Sequence, residues 1–408
     1  MLESLHSSGN ADAMNTTFET DCVIVGGGPA GLMTGFLLAR AGIDTIVVEK
    51  HSDFLRDFRG DTIHPSTQEL LGEVGLLDHF LDRPHADVDK VSVSWNGEEL
   101  TLADFSHLPT RRRVLSFMPQ WDFLDMIADA CEQLPSFRLI RSTRVDDLIR
   151  ENGRIAGVTA SGSDGEVSLR SKLVIGADGR DSLVRAAAGL SPIGAAAAMD
   201  VLWFRLPKGP GDTYPFIQAG AGMIITIDRD GYFQIAHVIP AGSWSGSASD
   251  LETMKRRIAQ ISSRMADAAT HLTADDVHVL RVRLERLRRW YEDGLLCIGD
   301  AAHAMSPAGG VGINLAIQDA VAAARLLAPA FRRGTPTRID LRRVQKRRSL
   351  PARVTQRVQR TLQGPLLSSH APGTPLPLAL RLLRKYPAIS RLTGRFVGLG
   401  IRRESTLS

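Results

Sequence analysis

The hydrophobic positions near the start of the chain follow the pattern of a strand, a helix and a second strand. Residues 21–25 form a short apolar, β-branched run that stops at three glycines, which is typical of a buried parallel strand. Residues 29–41 carry apolar side chains at helical spacing, and Gly42 is placed to end that helix. A second buried strand follows over Thr45–Val48. The spacing therefore predicts a βαβ unit of about 30 residues.

Further helices and strands are predicted along the rest of the chain. Helical spacing of apolar residues occupies residues 67–80, 121–131, 254–265 and 312–330. Strand patterns occupy residues 91–95, 173–175, 201–206, 223–228, 232–238 and 295–298. The alternating runs between residues 200 and 240 predict an antiparallel sheet distinct from the parallel one. Breaks are predicted in the C-terminal region at Gly364, Pro365, Pro372, Pro375 and Pro377.

Length and composition limit the class of protein. A chain of 408 residues, 43% hydrophobic, is long enough for two or three domains with ordinary globular cores. We expect a cytoplasmic protein, because the N-terminal residues lack the apolar segment of a secretory signal and no long apolar run predicts a membrane span. The three cysteines form no CxxC pair, and no cluster of ligand residues predicts a metal site.

The formal net charge of +4 conceals an asymmetry along the chain. From Phe331 onward there are 18 Lys and Arg against 2 Asp and Glu, so the preceding part is net acidic. We favour a solvated basic face on C-terminal helices that dock on the acidic body. Nucleic acid is not expected as a partner, since no groove-reading motif accompanies the charge. A weak contact with a membrane surface stays open as an alternative.

A glycine loop lies between the first predicted strand and helix. Gly26, Gly28 and Gly31 form a GxGxxG, in which the glycines allow a tight turn, close approach of a pyrophosphate and tight helix packing. Glu49 stands at the end of the second strand, where a carboxylate accepts hydrogen bonds from ribose hydroxyls. The context predicts a bound dinucleotide but does not distinguish FAD from NAD.

Three stretches together resemble the class A flavoprotein monooxygenases, the para-hydroxybenzoate hydroxylase-like family. One is the glycine loop with Glu49. The second, GADGRDSLVR at residues 176–185, is similar to that family's DG motif. The third, GDAAHAMSPAGGVGIN at residues 299–314, is similar to its GD motif. The resemblance implies a non-covalent FAD, NAD(P)H as co-substrate and O2, with hydroxylation of a small aromatic or quinone-like substrate through a C4a-hydroperoxyflavin.

The residues expected at the cofactor come from these motifs and from further matches to the family. Asp300 follows a short apolar strand, at the edge where α/β sheets place ligands, and the resemblance implies that it binds the ribityl chain. The full set of expected cofactor residues is Gly26, Gly28, Pro29, Ala30, Gly31, Glu49, Lys50, Arg59, Gln120, Val145, Asp178, Asp300, Gly310, Gly312, Ile313 and Asn314. Arg180 and Arg185 have two interpretations, as phosphate ligands of NAD(P)H or as parts of a turn and helix cap.

The catalytic residues are unknown at this stage, because the cofactor supplies the chemistry. Substrate-side candidates are Tyr232, His237 and Pro307. Period-2 alternation in residues 232–238 puts Tyr232 and Ala236 on one face and His237 on the other, and either face can wall the substrate. Core packing is an equally good interpretation of Tyr232 and His237.

The predicted fold class is α/β, with a Rossmann-like FAD-binding domain built on a mostly parallel sheet. We expect a disordered lead at 1–19, the FAD-binding domain at 20–90, 112–192 and 282–330, an inserted antiparallel-sheet substrate domain at 91–111 and 193–281, and a basic helical region at 331–408. Two other functions stay open. One is an FAD-dependent reductase or oxidase without oxygen insertion, and the other is a flavin-binding protein without enzymatic activity.

Overall fold

The computed structural model describes residues 16–55, 62–163, 165–220, 222–229, 231–367 and 374–406. In this part of the chain the strands are β1 (Thr16–Val25), β2 (Thr45–Val48), β3 (Thr62–Ile63), β4 (Ala86–Val88), β5 (Lys90–Trp95), β6 (Glu98–Asp104), β7 (Leu115–Phe117), β8 (Phe137–Ile140), β9 (Arg144–Glu151), β10 (Arg154–Gly162), β11 (Gly165–Gly176), β12 (Pro192–Pro207), β13 (Ile217–Ala219), β14 (Met223–Asp228), β15 (Tyr232–Pro240), β16 (His278–Leu287), β17 (Tyr291–Glu292), β18 (Leu295–Cys297) and β19 (His303–Ala304). The helices are α1 (Pro29–Arg40), α2 (Pro65–Val74), α3 (Leu77–Leu81), α4 (Gln120–Glu132), α5 (Leu183–Ala187), α6 (Ala248–Ile261), α7 (Ser263–Ala269), α8 (Val311–Arg332), α9 (Arg338–Leu367), α10 (Leu378–Lys385) and α11 (Ala388–Leu399).

The first sheet has a parallel core in the strand order β18-β11-β1-β2-β8, with antiparallel strands β17, β10 and β9 added. The predicted βαβ unit is present as β1, α1 and β2. Strand β1 begins at Thr16, which pairs with Val167, so residues 16–19 belong to the sheet and not to the predicted lead. Residues 1–15 of that lead lie outside the described residues. The prediction of a mostly parallel, Rossmann-like sheet is confirmed.

The apolar helix α8 lies in the core beside this sheet. It packs on α1 and α9, and its buried side chains include Ile317, Val321 and Leu327. By length and composition, residues 308–332 would be able to cross a membrane, but 72% of the apolar window is buried inside the structure. This degree of burial is typical of the core helix of a folded domain.

The second sheet is antiparallel except at one pair of strands. Its order is β19-β16-β12-β15-β14-β13-β5-β6, with β13 parallel to β5. The predicted antiparallel sheet is therefore confirmed. Strand β16 continues in this sheet to Leu287, so it runs across the predicted domain boundary at residue 281. A small third sheet has the order β3-β7-β4.

Two predicted helices are each divided into two. The pattern over residues 67–80 forms α2 and α3, because Gly75 ends α2 in a left-handed conformation with a φ of 81°. The pattern over 254–265 lies in α6 and α7, which are separated by Ser262 in an extended conformation. Apolar spacing alone does not reveal such interruptions, since the same face stays buried on both sides.

The C-terminal helices return to the body of the protein. Helix α9 continues through Gly364 and Pro365 to Leu367, contrary to the predicted break there. Helix α11 lies against β6 and needs a glycine at the contact, because a Cβ on Gly394 would meet the carbonyl oxygen of Asp104 at 1.9 Å. Helices α10 and α11 thereby reach the edge of the second sheet.

Candidate functional site

A cleft of about 1500 Å³ lies between the two large sheets. It is bordered by the carboxyl ends of β1 and β2, by the N-terminus of α8 and by one face of the second sheet. Pockets for a single small ligand are usually about 300–1,000 Å³. The cleft therefore has room for two molecules side by side.

The three glycines of the loop have different surroundings. A Cβ on Gly31 would lie 1.9 Å from the carbonyl oxygen of Gly26, and one on Gly26 would lie 2.5 Å from that of Ala177. These two positions need glycine for the packing of the chain itself. A Cβ on Gly28 would meet nothing within 4 Å, and Gly28 lines the cleft. The space beside Gly28 is therefore open to a ligand, whereas Gly31 does not line the cleft.

Glu49 lies immediately after β2 with its carboxylate held in the cleft wall. Its Oε2 accepts a hydrogen bond from the backbone N–H of Gly27 at 2.7 Å, and its Oε1 accepts one from that of His51 at 3.1 Å. Glu49 is 2% exposed and lines the same cleft as Asp300. The two acidic strand ends that the sequence predicted at one site therefore share one cleft.

Asp300 lies in the turn after β18 and is paired with Arg180. Nε of Arg180 donates to Oδ2 of Asp300 at 3.0 Å, and both side chains line the cleft. Nη1 of Arg180 is buried without a hydrogen-bond partner among the described residues. A buried guanidinium N–H without an acceptor is unusual and indicates room for an acceptor that a ligand brings.

The DG motif has a mainly local structural role. Asp178 accepts hydrogen bonds from the hydroxyl of Ser182 at 2.5 Å and from the N–H of Val184 at 3.1 Å, at the start of α5. Burial raises the pKa of Asp178, although these hydrogen bonds act in the opposite direction. Arg185 is buried and donates to the carbonyl oxygens of Ala301 and Arg180. For Arg185 the geometry supports the interpretation as part of the turn and helix, and Asp178 also lines the cleft.

The N-terminus of α8 is tied to the strand β3. Gly309 and Gly310 have positive φ angles of 81° and 59°, and Thr62 Oγ1 donates to the carbonyl oxygen of Gly310 at 2.9 Å. Ile313 lies in the first turn of α8, where backbone N–H groups have no acceptor within a helix. Gly310, Gly312 and Ile313 all line the cleft. These N–H groups are therefore available to a ligand.

Asn314 was expected at the cofactor, but it does not line the cleft. Its side chain donates to the carbonyl oxygens of Thr62 and Gly310 and accepts hydrogen bonds from His64 N–H and Thr67 Oγ1, all between 2.7 and 3.0 Å. The amide is fully used in holding α8 to β3 and α2. The side chain of Asn314 thus positions the loop, and the expected contact of this residue with the cofactor stays a prediction.

The remaining expected cofactor residues are distributed around the same cleft. Those that line it are Pro29, Ala30, Lys50, Gln120 and Val145. Arg59 lies outside the described residues. The charged side chains of the cleft all follow or begin strands of the first sheet: Glu49, Lys50, His51, Arg144, Asp178, Arg180, Asp181 and Asp300.

The half of the cleft under the second sheet is apolar. Side chains alternate along its strands, so that Met223 and Ile225 of β14 face the cleft while Ile224 packs in the core behind. The described side chains that line this half include Val91, Val93, Trp95, Val201, Trp203, Met223, Ile225, Ala236, Val238, Leu280, Leu380, Leu383 and Val397. None of these is charged, and Pro307, the third substrate-side candidate, also lines the cleft.

For His237 the structure favours the core-packing interpretation over the substrate-side one. Ala236 and Val238 line the cleft, so His237 projects from the opposite face of β15, where Ile235 packs against α6. It is 1% exposed, and burial, followed by the charge of Arg257, lowers its pKa to about 4. His237 is therefore a neutral core residue that cannot reach a molecule in the cleft.

Tyr232 also lies away from the cleft. It begins β15 opposite Pro207, at the far end of the strand, and does not line the cleft. The guanidinium of Arg205 lies over its ring, 4.9 Å from the centroid. Tyr232 shares the face of Ala236, as the alternation predicted, but the cleft ends before it, and this corrects the second substrate-side expectation.

Sequence reasoning missed several residues of the site. Thr62, which holds Gly310, is 248 positions away from it, and no spacing rule connects them. Trp203 and Met223 belong to strands that were predicted, but the face that lines the cleft depends on how the two sheets pack. For Arg180 the sequence left two interpretations open, phosphate ligand of NAD(P)H or part of a turn, and neither included the pairing with Asp300 that the structure shows.

The cleft fits an FAD on the evidence of its own residues. A Cβ on Gly28 or on Gly312 would meet nothing within 4 Å. The backbone at both positions is therefore accessible to a ligand in the charged half of the cleft. The buried Nη1 of Arg180 lacks an acceptor, and Glu49 and Asp300 present carboxylates suited to sugar-like hydroxyls. We therefore find both the space and the polar groups that a flavin dinucleotide requires.

Comparison with known proteins gives an independent result. Residues 19–358 match the FAD binding domain family. The chain is 33% identical over 376 residues to 6-methylpretetramide 4-monooxygenase of Streptomyces rimosus, with 90% of each chain covered. It is 25% identical to para-nitrophenol 4-monooxygenase of Pseudomonas sp. (strain WBC-3), with 79% of this chain and 82% of the relative covered. The solved structure of OxyS anhydrotetracycline hydroxylase from Streptomyces rimosus has a TM-score of 0.76 at 24% identity, covering 95% of this chain and 77% of that one.

Proposed function

The chain belongs to the FAD-dependent aromatic monooxygenases of the para-hydroxybenzoate hydroxylase-like family, and we propose that it consumes NAD(P)H to hydroxylate a neutral, multi-ring aromatic or quinone-like molecule. The observation that carries this proposal is the division of the cleft. Among the described residues, the charged side chains that line the cleft lie in the half formed by the first sheet, and those that line it under the second sheet are uncharged. One half suits a dinucleotide and the other suits a flat apolar substrate.

FAD, when bound, supplies the electron transfer and the activation of dioxygen. The protein positions the reactants and controls their surroundings. Glu49 and Asp300 would accept hydrogen bonds from sugar-like hydroxyls, and the N-terminus of α8 would stabilise negative charge on a flavin ring through its backbone N–H groups. The apolar half excludes water from the reacting groups.

The substrate class is inferred from what the apolar half lacks. A single-ring carboxylate or phenolate would lose its hydration there without a counter-charge, which is costly for a buried ion. Two tryptophans, Trp95 and Trp203, and the side chain of Met223 offer flat or adaptable apolar surface. A neutral molecule of several fused rings would fill this half and keep its face toward the cofactor.

We propose that NAD(P)H binds to the protein only transiently. The sequence has one GxGxxG, and Glu49 and Gly28 of that motif belong to the FAD half of the cleft. A nicotinamide nucleotide would therefore bind on the same body without a second dinucleotide fold.

The first expected result is a coupled oxidation. The purified holoenzyme should oxidise NADPH or NADH faster when a suitable neutral multi-ring aromatic is added, and product formed under isotopically labelled dioxygen should carry one labelled oxygen atom. Mass spectrometry measures the labelled oxygen inserted into the product, and a peroxide assay measures the dioxygen that is released as hydrogen peroxide instead. Single-ring benzoates serve as matched charged controls and should stimulate the reaction little.

The competing function is an FAD-dependent reductase or oxidase without oxygen insertion. It would give substrate-dependent turnover whose product carries no label. Stimulation by charged single-ring compounds but not by neutral multi-ring compounds would instead refute the substrate class while leaving the monooxygenase chemistry in place. The assay therefore separates reaction type from substrate type.

We further propose that the enzyme is cytoplasmic and that α10 contacts anionic lipid surfaces weakly. Cys22, Cys131 and Cys297 are free and buried, in keeping with a reducing compartment. Helix α10 has no buried residue, and its Leu378 and Leu382 are 71% and 41% exposed at a spacing of four. No Asp or Glu occurs from residue 341 to 403, so the charge around α10 complements an anionic surface.

Vesicle sedimentation tests this contact. Binding to phosphatidylglycerol-containing vesicles should exceed binding to phosphatidylcholine vesicles and should fall at high salt. Lys385→Gln should weaken it about fivefold, since one cation near such a surface contributes about 1 kcal/mol. Leu378→Gln should also weaken it, whereas Ile339→Gln, which changes an equally exposed apolar residue on α9, should not. Equal binding to both vesicle types would contradict the proposal.

A further inference from the structure

The turn that carries Asp300 is held from behind by a buried carboxylate. Residues 299–301 form a single helical turn, and Gly299 has a φ of 57°. The backbone N–H of Gly299 donates to Oδ2 of Asp319 on α8 at 3.1 Å. Nε2 of His303 lies 2.5 Å from the same oxygen. One carboxylate oxygen therefore fixes residues on both sides of Asp300.

Asp319 belongs to a buried chain of charges. Its other oxygen, Oδ1, accepts a hydrogen bond from Nε of Arg348 at 2.8 Å. Nη1 of Arg348 lies 3.4 Å from Oε1 of Glu404, near the end of the described chain. Asp319, Arg348 and Glu404 are all 1% exposed or less. The connection therefore runs from the C-terminal residues to the cofactor cleft.

This network lowers the pKa of Asp319 although the side chain is fully buried. Burial acts to raise the pKa of Asp319, but the charge and hydrogen bond of His303, followed by those of Arg348, lower it overall. A buried carboxylate with three hydrogen-bond donors is well fixed in orientation. A fixed Asp319 carboxylate therefore also fixes the turn that it holds.

We infer that Asp319 is a positioning residue for the cofactor cleft, which places the Asp300 carboxylate by holding Gly299 and His303. The inference rests on the proposed role of Asp300 in binding FAD. It assigns to Asp319 no contact with cofactor or substrate, because Asp319 does not line the cleft. The two ends of the network have different roles, since Glu404 holds Arg348 but not the turn.

The experiment compares Asp319→Asn with Glu404→Gln as a matched loss of one buried charge. Hydrogen exchange of the apoprotein, read by mass spectrometry, should be faster in residues 299–303 of Asp319→Asn and unchanged there in Glu404→Gln. The FAD dissociation constant of Asp319→Asn should rise roughly tenfold, as for the loss of one charge-assisted hydrogen bond, with a changed visible spectrum of the bound flavin. Glu404→Gln should bind FAD as the parent does, even if its thermal stability falls.

A double-mutant cycle with Asp300→Asn identifies the route of the effect. If Asp319 acts through Asp300, adding Asp319→Asn to Asp300→Asn should change FAD affinity little further. Additive effects, or unchanged exchange and affinity in Asp319→Asn, would overturn the inference. Unchanged FAD affinity in Asp300→Asn itself would overturn both the inference and the proposed role of Asp300. In that case hydrogen exchange in residues 299–303 would still be faster in Asp319→Asn, which distinguishes this outcome from a failure of Asp319 to hold the turn.

Discussion

Gly28→Val is expected to abolish FAD retention and to leave a folded chain. A Cβ at Gly28 meets no protein atom within 4 Å, and the φ of −78° at this position suits any residue, so the substitution does not strain the loop. The valine side chain would instead occupy the space that the pyrophosphate needs. Losing about two charge-assisted hydrogen bonds to backbone N–H groups, at about 1.5–3 kcal/mol each, should weaken FAD binding roughly a hundredfold or more.

The measurement is the flavin content of the purified protein together with the melting temperature of the apoprotein. Gly31→Val is the matched comparison, because a Cβ there would collide with the carbonyl oxygen of Gly26 at 1.9 Å. That variant should lose thermal stability as well as flavin. Normal flavin content in Gly28→Val would show that the loop does not hold the pyrophosphate.

The elements that the sequence predicted well are those set by local chemistry. Strand β2 has the predicted bounds, and α1 begins at the predicted Pro29, because a buried apolar run and a proline at the first helical position act within a few residues. The glycine loop was located for the same reason. Gly31 in particular answers a steric requirement within the loop, because a Cβ there would meet the carbonyl oxygen of Gly26.

The parts that were mispredicted depend on how distant elements pack. Alternation placed Tyr232 and His237 on opposite faces of β15, but only the packing of α6 shows which face is the core. The sequence also gave no sign that the side-chain amide of Asn314 is held by Thr62 and His64, which are about 250 positions away. Hydrogen bonds of this range leave no pattern in a single sequence.

The same distinction explains the division of the cleft. Charged residues at strand ends of a parallel sheet can be anticipated, because that edge collects ligands in α/β folds. The uncharged half comes from one face of a sheet that joins strands from residues 90–104, 192–287 and 303–304. Its lack of charge is a property of the assembled sheet, and it determines which substrates the cleft accepts.

Met223→Glu is expected to block substrate without loss of FAD. Met223 is half-buried on β14 and lines the uncharged half of the cleft. A carboxylate there would lose hydration when the substrate binds and would have no counter-charge, a cost of several kcal/mol. The KM for a neutral aromatic substrate should rise roughly a hundredfold, while the FAD dissociation constant stays near that of the parent.

Two variants at the same position separate charge from shape. Met223→Leu conserves volume and should change KM little, since such exchanges usually cost less than about 1.5 kcal/mol. Met223→Gln has the length of the glutamate without its charge and should give an intermediate KM. Equal KM values for Met223→Glu and Met223→Gln would mean that the added charge stays hydrated and that the substrate does not cover this strand. A weaker FAD affinity in Met223→Glu alone would mean that the two halves of the cleft are not independent, and the substrate class inferred from their separation would be wrong.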